Sequence, residues 1–460
     1  MPNDTDLCYM SIDEAQRLIK QGKLSPVELA QAHLRRINAL DGQLHAYLKL
    51  TEESALAEAA AAEAEIASTG PRGPLHGIPV AIKDQYDFAG IPALVRIPPP
   101  ETSEDAGAVA KLRDAGAVVL GKLMMSGLPG KHPEPRNPWD TKRTSGGSSS
   151  GSGSAIASGL CMGSLGEDTA GSIRNPASCC AIVGLKPTYG RVSRRGLAPL
   201  GWSLDHSGPI TRTVEDAALV LTAIAGQDPR DHTTSPAPVP DYTSALGQDI
   251  KGLVIGVPQH YLDILRPRLN DEIAAGFDKM LRDMEALGAK VEKVTIPSME
   301  YASIATGVLY CCEYMAGRNL GLQAHVGIAS DTRRARVYFG ALTGAAEYLQ
   351  AQRVRRRLKR EMDETFRRVD VLALPGHLQP AGLIGEMTPI ESLVTQLSPD
   401  YNGPFNLSGS PAMTLPSGFT NAGLPIAFQL VGRAFDEQTV LRIGHAYQQS
   451  AGWHTHHPEV

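Results

Sequence analysis

Three segments of this sequence carry residue types that could together perform nucleophilic chemistry. In Leu165-Gly-Glu-Asp-Thr-Ala-Gly171-Ser172, a serine follows a small Ala-Gly turn. Such a turn lets backbone N–H groups converge on an oxyanion beside the hydroxyl. A serine hydroxyl is a weak nucleophile and needs a base. Histidine does not supply it, because none lies in a Ser-His-Asp pattern or a G-x-S-x-G elbow, and several sit in the C-terminal tail as His454, His456 and His457. Lys83 is the stronger candidate: it follows the apolar run Ile78-Pro-Val-Ala-Ile82 and could emerge from a core strand into a desolvated site that favours the neutral amine. From these residues alone, an ordinary ion pair between Lys83 and its neighbour Asp84 explains the lysine equally well. The third segment, Thr144-Ser-Gly-Gly-Ser148-Ser-Ser-Gly-Ser-Gly-Ser154, has the composition of a flexible linker. It runs straight into Ala155-Ile-Ala-Ser-Gly-Leu160 between regular elements, which fits better with a backbone surface that approaches a ligand.

Taken together, Gly146-Gly147-Ser148-Ser149, Ser172 and Gly77-Ile-Pro-Val-Ala-Ile-Lys83-Asp84 resemble the amidase signature family. The similarity extends to Ala181-Ile-Val-Gly-Leu-Lys-Pro187, Gly190-Arg-Val-Ser193, Gly423-Leu-Pro425 and Gln429, and so covers nearly the whole chain. The resemblance implies a Ser-Ser-Lys triad. Ser172 matches the acylating nucleophile, Ser148 the bridging serine that follows a cis peptide bond, and Lys83 the base, which must be neutral to accept a proton. It further implies an oxyanion hole built from the backbone N–H groups of Thr169, Ala170, Gly171 and Ser172, with Asp168 and Arg174 bracing the loop. It implies no metal and no cofactor. Three departures from the family pattern stand out: Glu167-Asp-Thr-Ala170-Gly-Ser172 replaces the usual Thr-Asp-x-Gly-Gly-Ser, Ser150 and Ser152 replace a glycine and a varied residue, and Thr144 replaces a frequent proline.

The resemblance implies an amidohydrolase that cleaves a C–N bond through a Ser172 acyl-enzyme. Met124, Met125, Leu128 and Pro129, with Tyr310, Tyr314 and Tyr338, are the expected pocket walls, and their character favours a neutral, hydrophobic or aryl amide. Carbamates and anilides are the close alternatives. A glutamine-hydrolysing subunit of a tRNA amidotransferase complex is a further one, disfavoured because no Tyr-Asp-Gly segment occurs near Glu313 to Leu320. The expected partners are a small-molecule amide or carbamate and water, with a homodimer left open.

These residues must be held by a scaffold, and the pattern indicates an α/β fold. Short apolar strands such as Ala117–Leu120, Leu253–Val257, Lys290–Val294, Val371–Leu374, Ala412–Leu415 and Ile426–Leu430 alternate with helical stretches such as Asp271 to Leu287. The resemblance implies a single large mixed, mostly parallel-type β-sheet covered by helices on both faces. Residues 1–70 read as a helical layer, with Ser11-Ile-Asp-Glu14 and Ser25-Pro-Val-Glu28 as helix starts. Residues 71–226 form the signature core, 227–369 a variable region shaping the pocket, and 370–460 the rest of the same core. All belong to one domain, and the Pro- and Asp-rich stretch from Gln227 to Tyr242 is a surface connection.

Composition excludes several function classes. A net charge of −5, spread along the chain, calls for neither nucleic acid nor an anionic membrane. The basic run at Arg353, Arg355, Arg356, Arg357, Lys359 and Arg360 lacks interleaved aromatics and reads as a solvated helix face. No stretch approaches the roughly 18 apolar residues of a membrane helix, so a cytoplasmic location is expected. Cys8, Cys161, Cys179, Cys180, Cys311 and Cys312 show no ligand spacing and read as reduced small hydrophobes. Gly116-Ala-Val-Val-Leu-Gly121-Lys122 nearly fits a phosphate loop, but Leu123 replaces the required hydroxyl residue.

Overall fold

The computed structural model of the chain describes residues 3–96, 102–128, 132–317 and 331–460. Two helix starts of the N-terminal layer are capped as the sequence indicates. Ser11 accepts from the Glu14 N–H, while Ser25 accepts from those of Val27 and Glu28 ahead of the helix Pro26–Leu44. The alanine- and glutamate-rich stretch is helical over Glu52–Thr69 and stops at Gly70.

Strands in chain order are β1 (Tyr47–Leu50), β2 (Pro79–Lys83), β3 (Val118–Leu123), β4 (Arg136–Asn137), β5 (Asp140–Thr144), β6 (Gly163–Asp168) and β7 (Val183–Lys186). They continue with β8 (His206–Thr211), β9 (Val254–Val257), β10 (Lys290–Lys293), β11 (Val371–Pro375), β12 (Ala412–Phe419) and β13 (Pro425–Gly432). Eleven of them form one sheet in the order β1-β3-β2-β6-β8-β7-β12-β13-β11-β9-β10, and β4 pairs with β5 apart from it. One large mixed sheet is thus present, but its balance differs from the mostly parallel arrangement expected. Parallel pairing is confined to β3-β2-β6 and β11-β9-β10, and every other neighbouring pair of the sheet is antiparallel. Apolar runs report burial on both faces, not strand direction, so the sequence pattern does not separate the two cases.

Both faces of the sheet are covered. Val80 and Ile82 of β2 join a core with Ile12, Val214, Phe277 and Leu441, whereas Ala81 between them packs with Leu34, Ala55, Ala155 and Ala177. This is the period-two alternation of a strand, expressed as two helical layers. A third core gathers Leu309, Tyr310, Tyr314, Leu358 and Phe405 around the helices Met299–Ala316 and Ala345–Thr365. Among the described residues, no helix is long and apolar enough to cross a membrane.

The Gly/Ser stretch is the clearest reversal of local propensity. Ser150–Ala157 is a fully buried α-helix, not a loop. Small residues are required there because a Cβ on Gly151 would lie 2.4 Å from the Ala46 carbonyl and 2.6 Å from that of Met124. Tertiary packing, which needs backbones in close approach, outweighs the glycine cost of about 1 kcal/mol per residue in a helix.

Candidate active site

Lys83 ends β2 and is fully buried. Its Nζ lies 2.9 Å from Ser148 Oγ, 3.2 Å from the Glu167 carbonyl and 3.1 Å from Glu167 Oε2. Burial lowers the Lys83 pKa, and the Glu167 carboxylate partly opposes that shift. Asp84, the alternative partner, points to the other side of the strand and pairs with Lys122 at 3.0 Å. Adjacent strand residues face opposite ways, so Lys83 and Asp84 cannot serve the same site.

Ser148 follows a cis peptide bond from Gly147. The turn is pinned by Asn175, whose Oδ1 accepts the Gly147 N–H at 2.9 Å, and by the Ser148 carbonyl, which accepts the Ser126 N–H at 3.1 Å. Ser172 stands just before the buried helix Arg174–Cys180, and its carbonyl accepts the Ser149 N–H at 3.3 Å, tying the two serine segments together.

The turn carrying Ser172 is held from beneath. Asp168 accepts the N–H of Gly171 at 2.6 Å and that of Ile173 at 3.2 Å, and it pairs with Arg174 at 3.0 Å. Arg174 also donates to the Asn402 carbonyl and to Gln429 Oε1, and Asn406 donates to Asp168 Oδ1 at 2.8 Å. The charge of Arg174 opposes the effect of burial and holds the Asp168 carboxyl well below the usual carboxylate range. Breaking a buried pair of this kind costs about 3–5 kcal/mol, so Asp168 and Arg174 act as the brace. Gly171 is needed at φ 114°, and a Cβ there would meet Asn402 at 2.8 Å.

Above this brace lies a cavity of about 720 Å³ lined by Ser148, Thr169, Ala170 and Ser172. Met125, Leu128, Tyr310 and Tyr314 form apolar wall, with Tyr310 and Tyr314 packed edge to face at 6.1 Å. Arg268, Arg333, Arg336 and Asp400 contribute charge to the same wall, and the Arg336 guanidinium lies 5.2 Å from the Tyr310 ring centre. Asp400 is anchored through Oδ1 by the N–H groups of Asn402 and Gly403 and by the Ser303 hydroxyl.

A sequence model of the amidase family matches residues 28–441. The chain belongs to the amidase signature family. A glutamyl-tRNA(Gln) amidotransferase subunit from Chloroflexus aggregans is 40% identical, over 99% of each chain. Among solved structures, the glutamyl-tRNA(Gln) amidotransferase subunit of the same type from Thermotoga maritima is 34% identical with a TM-score of 0.82, covering 97% of this chain and 96% of that one. Native peptide amidase from Stenotrophomonas maltophilia is 30% identical with a TM-score of 0.83, covering 96% of this chain and 97% of the other.

Several sequence expectations need correction in this family member. Of the four residues expected around an oxyanion, Thr169, Ala170 and Ser172 line the cavity, whereas Gly171 does not and donates its N–H to Asp168. Met124 is not pocket wall. It is 4% exposed, in a small core with Ala93, Val95 and Leu128, and its backbone bonds to Ala46 and Gly151. Tyr338 is exposed and lies outside the cavity lining, while Pro129 lies outside the described residues. The segment that nearly fits a phosphate loop runs into strand β3, as its apolar residues lead one to expect. Within the basic run, Arg355 turns inward to Ser203 Oγ and the Leu407 carbonyl, and Arg357 and Arg360 pair with Glu361 and Glu364. All six cysteines are free, and burial raises the thiols of Cys161, Cys179 and Cys311 to about 12. Sequence reasoning missed Arg268, Arg333, Arg336 and Asp400, which come from distant segments with no local motif. It noticed Glu167 only as a departure.

Proposed function

We propose that Ser172 is acylated by a small primary carboxamide that carries its own charged groups, with glutamine the leading candidate. The observation that carries this reading is the cavity wall, where Asp400 and the three guanidinium groups of Arg268, Arg333 and Arg336 surround the same space as Ser148 and Ser172. A neutral substrate offers such a wall no charge complement. An amino-acid amide offers an ammonium to the carboxylate and a carboxylate to the guanidinium groups. Similarity to the glutamyl-tRNA(Gln) amidotransferase subunits supports the same direction.

In this reading Ser172 Oγ attacks the amide carbon as its proton passes to Ser148, and the Ser148 proton passes to neutral Lys83. Backbone N–H groups of Thr169, Ala170 and Ser172 receive the oxyanion; one such donor typically contributes about 2.7–4 kcal/mol. The proton returns through Ser148 to the leaving nitrogen, ammonia departs, and water hydrolyses the acyl-enzyme by the same relay.

Release of ammonia from L-glutamine by the purified chain alone tests this, against butyramide, acetanilide and a phenyl carbamate. Glutamine is expected to give the highest kcat/KM, and an anilide or carbamate preferred tenfold over glutamine overturns it. That result would favour the second reading, a hydrolase of aryl or alkyl amides and carbamates, which rests on Met125, Leu128, Tyr310 and Tyr314 in the wall. Turnover that appears only with added partner subunits would mark the chain as part of a transamidating assembly.

A further inference from the structure

The buried acid beside Lys83 extends the site beyond three residues. Glu167 is fully buried at the end of β6, with Oε2 on Lys83 Nζ at 3.1 Å and Oε1 on the Thr169 hydroxyl at 2.6 Å. The same hydroxyl lies 2.9 Å from Asp205 Oδ1, and Asp205 accepts the N–H groups of Leu200 and Gly201. A threonine hydroxyl has one proton and so donates to only one of two carboxyl oxygens. The second contact is a hydrogen bond only if that carboxyl is in its acid form. Burial and the neighbouring charge of Glu167 push the Asp205 carboxyl well above the ordinary carboxylate range. The Thr169 hydroxyl thus links the two carboxyls, and the other oxygen of Glu167 faces Lys83.

We propose that Glu167 is a fourth member of the relay, a positioning residue that aims the Lys83 amine at Ser148 and stabilises the ammonium formed when Lys83 takes the serine proton. The step balances with no further reactant. The Ser172 proton moves to Ser148 and that of Ser148 to Lys83, so the lysine gains one positive charge 3.1 Å from a carboxylate while the substrate oxygen gains a negative one. Glu167 thereby plays toward a lysine the part that the aspartate of a Ser-His-Asp triad plays toward imidazolium. Through Thr169 the same carboxylate also fixes the turn whose N–H groups face the oxyanion, which couples the base to the charge it helps create. Other ionisable groups facing this cluster are Asp168, already neutralised by Arg174, and the phenols of Tyr86 and Tyr310. The charge of Arg194 also acts on Asp205.

This inference rests on the assignment of Ser172 as nucleophile and Lys83 as base. The experiment therefore follows sulfonylation of the serine by phenylmethylsulfonyl fluoride against pH, alongside the pH dependence of amide turnover. Ser172→Ala must abolish labelling; labelling that persists overturns the underlying assignment and leaves nothing for Glu167 to support. With that control in place, Glu167→Gln is expected to lower the labelling rate at its plateau about a hundredfold. Its acid limb should move to lower pH by roughly one unit or more, because an opposite charge no longer stabilises the lysine cation. An acid limb that overlays the wild-type limb, whatever the rate, overturns the proposal and leaves Glu167 a packing residue. Glu167→Thr introduces the residue usual in the family and carries the same test, with the same downward shift expected, if the glutamine variant does not fold.

Discussion

Two lysines on adjacent strands, Lys83 of β2 and Lys122 of β3, share almost every local property. Each is fully buried, each has a carboxylate oxygen at close to 3 Å, and burial lowers the pKa of each while that carboxylate opposes the shift. They differ in the face they occupy. The register shift between β2 and β3 pairs Lys122 with Ile82 and Lys83 with Leu123, which turns the two amines to opposite sides of the sheet. Lys83 meets Ser148 at the floor of the cavity, whereas Lys122 meets Asp84 and the Pro92 carbonyl in a closed core. Burial and charge pairing therefore do not by themselves make a lysine a base for catalysis. The hydroxyl within reach and the open volume beyond it make the distinction.

The most severe test of this contrast removes what lies beyond Lys83. Ser172→Ala should reduce amide turnover about 10⁴-fold or more with an unchanged thermal melt, and near wild-type activity would end the assignment. Next, Lys83→Met should reduce kcat/KM by about 10²–10⁴, the range of a lost general base. Lys122→Met should leave kcat per folded molecule unchanged while costing about 3–5 kcal/mol in denaturant unfolding, because Asp84 is then buried without its partner. If both lysine variants lose activity equally once corrected for folded fraction, the distinction between the two lysines fails.

Titration separates the two lysines further. The proton-accepting form of Lys83 is the neutral amine, so turnover should rise with pH through the lysine pKa and fall about tenfold per pH unit below it. That midpoint lies under the ordinary lysine value, since burial is the larger influence on this group. A kcat/KM profile flat down to pH 5 would contradict the role of Lys83. Lys122→Met should leave the profile in place. The smallest effect belongs to the double variant Lys122→Met with Asp84→Asn. It removes both charges yet keeps an acceptor for the Val95 N–H, so it should recover most of the stability lost by Lys122→Met, to within about 1–2 kcal/mol of wild type.

Much of this was legible before folding was considered. The runs Ile78–Ile82 and Val371–Leu374 mark buried strands because apolar residues cluster at strand length, and Ser11 and Ser25 mark helix starts because their hydroxyls accept orphan N–H groups. Strand direction was not legible, since burial on both faces looks the same in either orientation. Nor was the helix Ser150–Ala157, where a linker-like composition folds because neighbouring backbones leave no room for side chains. Met124 was misplaced for a related reason: an apolar residue next to pocket residues has no periodic signal that says which way it points.

The candidate site divides along the same line. Lys83, Ser148 and Ser172 could be nominated from sequence because each sits in its own local pattern of small or apolar residues, and their joint occurrence carries the family resemblance. Glu167 stood in the same sequence as an oddity. Its meaning depends on where β6 lies beside β2, on Thr169 folding back over it and on Asp205 arriving from the next segment. Arg268, Arg333, Arg336 and Asp400 converge on the cavity only after helices and loops far apart in the chain have packed. Local chemistry is written in neighbouring residues, because they share a short stretch of backbone. The electrostatic field around that chemistry, and with it the choice of substrate, is a sum over distant charges whose separations only the tertiary structure sets.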